Sequence, residues 1–227
     1  MEETILEAKD ICKSFYYPKE VSILQDLHLV VNRGETVAII GRSGQGKSTL
    51  LQILGTLEKP TSGKLTISGQ IVTPFNCGKI RNRHIAFIFQ SFHLLEDYTA
   101  LENILMPAKI ARRKTCIGSE AYQNAMELLK QVGLSDRAHF NTKLLSGGEK
   151  QRIAIIRALC NNPDIIFADE PSGNLDKQTA HDIHQLLLNF AHTKKKTLII
   201  VTHDHSLANL CQKKYVLDQR SLHLSST

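Results

Sequence analysis

Apolar and polar positions follow two rhythms along the chain. Residues 5–8 and 23–31 read as strands, the second nearly alternating through Leu27, Leu29 and Val31. Asn32, Arg33, Gly34 and Glu35 then give a turn signal. Residues 36–40 form a short β-branched apolar run, the pattern of a strand buried on both faces of a parallel sheet. A glycine-rich loop at 41–46 leads into a helix predicted over 47–56. Strands are predicted at 64–67 and 85–89. Beyond residue 91 the texture turns helical: helices are predicted at 101–113 and 120–133, the latter with Leu128, Leu129 and Val132 on one face. A further helix, at 149–160, starts after a glycine pair. Strands return at 165–168, 197–201 and 215–217, with helices at 178–191 and 206–211 between them. Strands alternating with helices predict an α/β fold: a mostly parallel sheet covered on both faces, with ligands at the carboxyl ends of its strands. Because strands resume after it, the helical stretch at about 91–160 reads as an insertion into one domain spanning 1–227.

Composition narrows the field only a little. With 42% apolar and 22% charged residues, the 227-residue chain is neither disordered nor a small disulfide scaffold. The cysteines Cys12, Cys77, Cys116, Cys160 and Cys211 are scattered and form no CxxC, which argues against a disulfide framework or a zinc site and fits a reducing compartment. No apolar run approaches the roughly 20 residues of a membrane span, so any work at a membrane is expected to pass through a partner. Net charge is +6, but the basic clusters at 112–114 and 194–196 are short and there is no Trp. A nucleic-acid partner is therefore not expected.

Three motifs carry chemistry. Gly41, Arg42, Ser43, Gly44, Gln45, Gly46, Lys47 and Ser48 match GxxxxGK[ST], placed between a buried strand and a helix. The glycines let successive N–H groups curl around phosphate oxygens while the helix aims its positive end at the same charge. Lys47 is expected at the β- and γ-phosphates and Ser48 on Mg²⁺. The apolar strand at 165–168 ends in Asp169 and Glu170. Asp169 suits Mg²⁺, and Glu170 suits a base or orienter for an attacking water; taken alone, the pair also reads as ordinary strand-end carboxylates. Leu145, Ser146, Gly147, Gly148 and Glu149 precede a helix. Alone, they read as an N-cap; beside a P-loop, they offer a second anion site.

Taken together, these residues resemble the ATP-binding-cassette (ABC) ATPases over nearly the whole chain. The run from Leu145 through Glu149 to Lys150, Gln151 and Arg152 is similar to the family signature. The resemblance implies a P-loop cassette with a RecA-like core, an antiparallel β subdomain and a helical subdomain. It implies ATP and Mg²⁺ as ligands, and a head-to-tail homodimer in the ATP-bound state in which Ser146, Gly147 and Gly148 serve the partner's nucleotide. Thr49 joins the nucleotide-binding set. Gln90 is similar to the family glutamine that contacts Mg²⁺ and the attacking water, and the segment 172–176 resembles the loop that crosses the dimer interface. His203 resembles the switch histidine on the γ-phosphate, and Phe15 or Tyr16 the ring that stacks on adenine. The implied catalytic set is therefore Glu170, His203, Gln90 and Lys47, and the implied metal set Ser48, Gln90 and Asp169.

The run 91–107 after Gln90, together with 168–176, resembles the cassette group of lipoprotein-releasing, macrolide-export and cell-division ATPases. The chain stops at Thr227, close behind His203, so no fused membrane or regulatory domain is expected. The implied function is an ATP-hydrolysing transporter subunit at the cytoplasmic face of the inner membrane, held there by integral membrane permease subunits and serving lipoprotein release. A cell-division regulatory ATPase and a soluble non-transport cassette remain alternatives. Leu94, Leu95, Tyr98, Leu101 and Met106 are expected to divide between the helical core and a groove for a short helix of the membrane partner.

Overall fold

The computed structural model describes residues 3–16 and 18–225. Two sheets organise them. The first is antiparallel: β1 (Thr4–Phe15) lies between β2 (Val21–Asn32) and β4 (Ser62–Ile67), and the two-residue β5 (Gln70–Ile71) closes the edge. The second runs β10 (Ser221–Leu224), β9 (Lys213–Asp218), β3 (Thr36–Ile40), β8 (Thr197–Val201), β7 (Ile165–Asp169), β6 (Ile85–Ile88). Its five strands from β9 to β6 are parallel, and only β10 is antiparallel.

The parallel strands separate two cores by simple alternation. In β7, Ile165 and Phe167 face one core, while Ile166 and Ala168 face the other. In β8, Ile199 and Val201 oppose Leu198 and Ile200 in the same way. A side-chain period of two on a sheet covered on both faces requires this. One core is closed by the antiparallel sheet and α1 (Lys47–Leu54), through Leu50, Leu51, Ile53 and Leu54. The other is closed by α3 (Ala100–Ile110), α4 (Glu120–Gln131), α5 (Gly147–Leu159) and α6 (Lys177–Thr193). Side chains set where these helices start. Thr99 with Glu102 and Ser146 with Glu149 form capping boxes on α3 and α5, and Ser119 and Asp176 cap α4 and α6.

Two boundaries and one whole helix are the main departures from the sequence reading. The strand expected at 5–8 continues to Phe15, because β2 and β4 pair with it on both sides across bulges. The helix expected at 101–113 stops at Ile110: Arg112 turns to φ 57° and the Arg113 N–H closes on Ala108 O, a left-handed C-terminal cap. α2 (Cys77–His84) was not expected, since Ile80 is its only buried residue and no periodicity announces it.

Candidate active site

Four neighbouring parallel strands, β3, β8, β7 and β6, deliver the candidate residues at their carboxyl ends. β3 runs into the P-loop, β6 leads to Gln90, β7 ends at Asp169 and Glu170, and β8 leads to Thr202 and His203.

The P-loop depends on glycine at two points. Gly46 sits at φ 94° directly before α1, and a Cβ there would lie 2.5 Å from Ile23 Cγ2. At Gly41 a Cβ would lie 2.5 Å from Leu217 O. No side chain caps α1, so its first-turn N–H groups face the loop without a side-chain acceptor. Lys47 is buried and donates to Gly41 O at 2.8 Å and Arg42 O at 3.2 Å, which folds its ammonium into the loop. Gln45 ties the loop to the β9–β10 hairpin by donating to Asp218 Oδ1 at 3.2 Å. Arg42, Ser43 and Gly44 form the exposed rim, and Thr49 follows in α1.

Ser48 Oγ donates to Asp169 Oδ1 at 3.0 Å, bringing the P-loop hydroxyl onto the strand-end carboxylate. Burial raises the Asp169 pKa, and the neighbouring Glu170 charge adds to the rise, against the Ser48 hydrogen bond and Lys47. Among the described residues no cation forms an ion pair with Asp169. A desolvated carboxylate beside a hydroxyl is a set of hard oxygen donors, which fits Mg²⁺.

Glu170 holds a left-handed backbone, φ 45°, with its N–H on Val201 O at 3.0 Å. Its carboxylate is gripped by the loop after β8: His203 Nδ1 lies 2.9 Å from Oε1, and Oε2 accepts from Thr202 Oγ1 at 3.1 Å and from His203 N at 3.3 Å. Gln90 is engaged with the segment 172–176. Its Nε2 donates to Asn174 Oδ1 at 3.2 Å, and Asn174 Nδ2 donates back to Gln90 O at 3.1 Å. Gln90 thus joins Asn174 rather than the Ser48–Asp169 pair.

Ser146 is an N-cap in this structure. Its hydroxyl accepts from Glu149 N at 3.3 Å and its own N–H donates to Glu149 Oε2 at 2.8 Å, so the plain N-cap reading holds. Gly147 and Gly148 lie against α6 and the loop before it: a Cβ on Gly148 would come within 2.8 Å of Thr179 Cγ2. Phe15 is exposed at the end of β1, with Lys13 Nζ 4.7 Å from its ring centroid, and Tyr16 beside it is more exposed.

Sequence reasoning missed Thr202 and Gln151. Thr202 directly precedes His203, but nothing in the sequence singled out its hydroxyl. Gln151 is fully buried and donates to Pro171 O at 2.5 Å, tying α5 to the turn after Glu170. Its place within the run 145–152 was the only available signal.

Comparisons with known proteins agree with this fold. Residues 24–173 match the family described as ABC transporter. The chain is 65% identical over 213 residues to the lipoprotein-releasing system ATP-binding protein LolD of Protochlamydia amoebophila, covering 94% of this chain and 93% of that protein. It is 44% identical to the LolD of Rickettsia conorii, over 99% of this chain and all of the relative. Among solved structures it is similar to the ATP-binding cassette MJ0796, described as dimeric, in a post-hydrolysis state and bound to ADP and Pi. The TM-score is 0.88 and the identity 36%, over 98% of both chains. The P-loop, the carboxylates and the cassette likeness extend along one continuous chain, and by that extent of agreement it belongs to the ABC transporter family as an ATP-binding cassette.

Proposed function

We propose that this chain hydrolyses ATP to power a separate membrane subunit, and that the work done is lipoprotein release. The observation carrying the ATPase reading is the line at the strand ends: Ser48 on Asp169, and Glu170 held by Thr202 and His203. The P-loop N–H groups and Lys47 bind the β- and γ-phosphates, and Phe15 offers a ring face to adenine. Ser48 and Asp169 are the residues that would hold Mg²⁺, which would supply charge neutralisation to the phosphates when bound; Gln90, here paired with Asn174, would join them only by leaving that partner. Glu170 orients a water and accepts its proton as the oxygen attacks the γ-phosphorus, the bond from that phosphorus to the β–γ bridging oxygen breaks, and ADP leaves with the bridging oxygen. His203, on the same carboxylate, holds it in place and reaches toward the γ-phosphate.

The dimeric cassettes of MJ0796 support a homodimer in the ATP-bound state, with Ser146, Gly147 and Gly148 of one copy on the nucleotide held by the other. The names of the relatives support lipoprotein release. We read the chain as a single cassette with a helical part at about 91–160. A cavity of about 450 Å³ between β6, α2, α3 and α5, lined by Arg81, Ile85, Phe87, Met106 and Ile110, suits a short cytoplasmic helix of the membrane partner. Of the five apolar residues expected to divide between the helical core and such a groove, Met106 lines this cavity. Leu101 is buried, Leu94 packs on the helical core, and Leu95 and Tyr98 are exposed. Among the described residues no helix is long and apolar enough to cross a membrane. In this reading the chain is held at the cytoplasmic face of the inner membrane by that partner.

The test is reconstitution of the chain with its membrane subunits in vesicles carrying a labelled lipoprotein. Mg-ATP should release the lipoprotein with the wild-type chain and not with Lys47→Ala. Hydrolysis without release would favour the cell-division reading.

A further inference from the structure

α6 buries Ile183, Leu187, Leu188 and Ala191 in the helical core, and in the same face it buries an imidazole. His184 is 3% exposed. A buried polar ring costs free energy that an apolar side chain of that size would not, unless it is hydrogen-bonded. Its bond is to the segment after Glu170: His184 Nε2 and Ser172 Oγ lie 2.7 Å apart. The same nitrogen faces Asp204 Oδ2, at 4.0 Å, in the loop after β8.

These two segments set the geometry of Glu170. Ser172 lies in the turn that begins at Glu170, where Gly173 N closes on Glu170 O. Asp204 lies in the loop that grips the carboxylate, where Asp204 N donates to Thr202 Oγ1 and Thr202 Oγ1 donates to Glu170 Oε2. His184 is thus one side chain, fixed in a helix core, that meets the backbone turn of Glu170 on one side and faces the clamp on its carboxylate on the other. Burial lowers its pKa, and His181 adds to this against the pull of Asp204, so the ring is neutral at neutral pH and acts through hydrogen bonding.

We infer that His184 is a positioning residue for hydrolysis: through Ser172 it fixes the turn that aims Glu170 at the attacking water. This rests on the reading of Glu170 as the hydrolytic base. Because the ring touches neither the P-loop nor the exposed end of β1, its loss acts on turnover and leaves nucleotide binding alone.

The experiment uses the full chain. It measures kcat and KM for ATP, nucleotide affinity and thermal stability for His184→Leu, His184→Gln, Ser172→Ala and the Ser172→Ala/His184→Leu double variant. A hydrogen bond of this kind is worth up to roughly tenfold in rate. His184→Leu should lose about that much kcat with KM within about twofold. His184→Gln, whose amide can meet Ser172 Oγ, should recover most of the loss. The double variant should be no worse than Ser172→Ala alone, since both remove one interaction. If His184→Leu does not fold, Ser172→Ala and His184→Gln carry the same comparison. Wild-type kcat in His184→Leu or Ser172→Ala, or additive losses in the double variant, would overturn the inference. A wild-type chain that hydrolyses no ATP would instead overturn the ATPase reading on which it rests.

Discussion

Two helices have glycine at their starts, Gly46 before α1 and Gly147 as the first residue of α5, and their N-termini are finished in opposite ways. α1 starts at Gly46 with no side-chain cap and no acidic residue in its first turn, and the ammonium of Lys47 is folded against the loop. α5 starts at Ser146 inside a complete capping box, with Glu149 in its first turn and Arg137 on that carboxylate at 3.3 Å. Each helix start presents positive charge from its free N–H groups. At α1 that charge is left for a ligand and reinforced by a cation. At α5 it is already answered by the helix's own anion. The first end is an anion site within one chain. The second is a stable helix start; on the proposed reading it would act on nucleotide only when another copy brings its phosphate to the Ser146 hydroxyl and the glycine N–H groups.

The largest effects should come from the α1 side. Lys47→Ala and Glu170→Gln should each lower steady-state phosphate release by about 10²-fold or more, the range for removing one group that stabilises charge or moves a proton in the transition state. The two should then part: nucleotide titration should find ATP binding weakened in Lys47→Ala and kept in Glu170→Gln. Gly46→Ala should come next. It forces a non-glycine residue to φ 94° and drives a methyl into Ile23, a strain of roughly 1–3 kcal/mol. Calorimetry should show lower stability together with weakened nucleotide affinity.

At α5 the contributions of the cap and the ligand contact can be separated. Ser146→Ala should cost about 1 kcal/mol, a melting drop of about 2–4 °C in a chain of this size. Ser146→Asp keeps an acceptor for the Glu149 N–H, so it should melt near wild type. It also sets a negative charge where a partner's phosphate must come, so its turnover should fall more than that of Ser146→Ala. Equal turnover in the two would leave Ser146 a cap and nothing more.

The smallest effect is a pH dependence at the start of α5. The Ser146 backbone N–H, with smaller help from its hydroxyl and Arg137, holds the Glu149 carboxyl below its ordinary value, against burial. A folded-state pKa lowered in this way adds stability that is complete above the unfolded value of about 4.3 and is lost as pH falls through the lower folded value. Unfolding curves of Glu149→Gln should therefore be flatter than wild type on the acid side and coincide with it more closely at the bottom of that range. α1 has no first-turn carboxylate to give a matching dependence.

The same contrast explains what was legible in the sequence. The buried strands were, because five-residue apolar runs such as β3 and β8 have few alternatives, and β8 fell on the expected boundaries. The P-loop was, because its spacing encodes a backbone shape. The polar α2 was not, and neither was the β5 pairing, since neither carries a hydrophobic period. Nor was the grip of Thr202 on Glu170, or of Gln90 on Asn174. Those contacts join residues 32 and 84 positions apart, and only the strand order brings them together. Ser146 shows a different difficulty: capping and phosphate binding ask for the same residue at the same place, so the motif alone could not separate them.

On the proposed reading a working site needs the α1 end of one copy and the α5 end of another. Light scattering of Glu170→Gln, with and without Mg-ATP, measures it directly when run beside Glu170→Gln carrying Ser146→Asp. The account predicts a monomer without nucleotide, a dimer with Mg-ATP, and a monomer in both conditions once Ser146→Asp is added, with ATP still bound. A Glu170→Gln chain that stays monomeric in Mg-ATP, or a double variant that dimerises as readily, would contradict it.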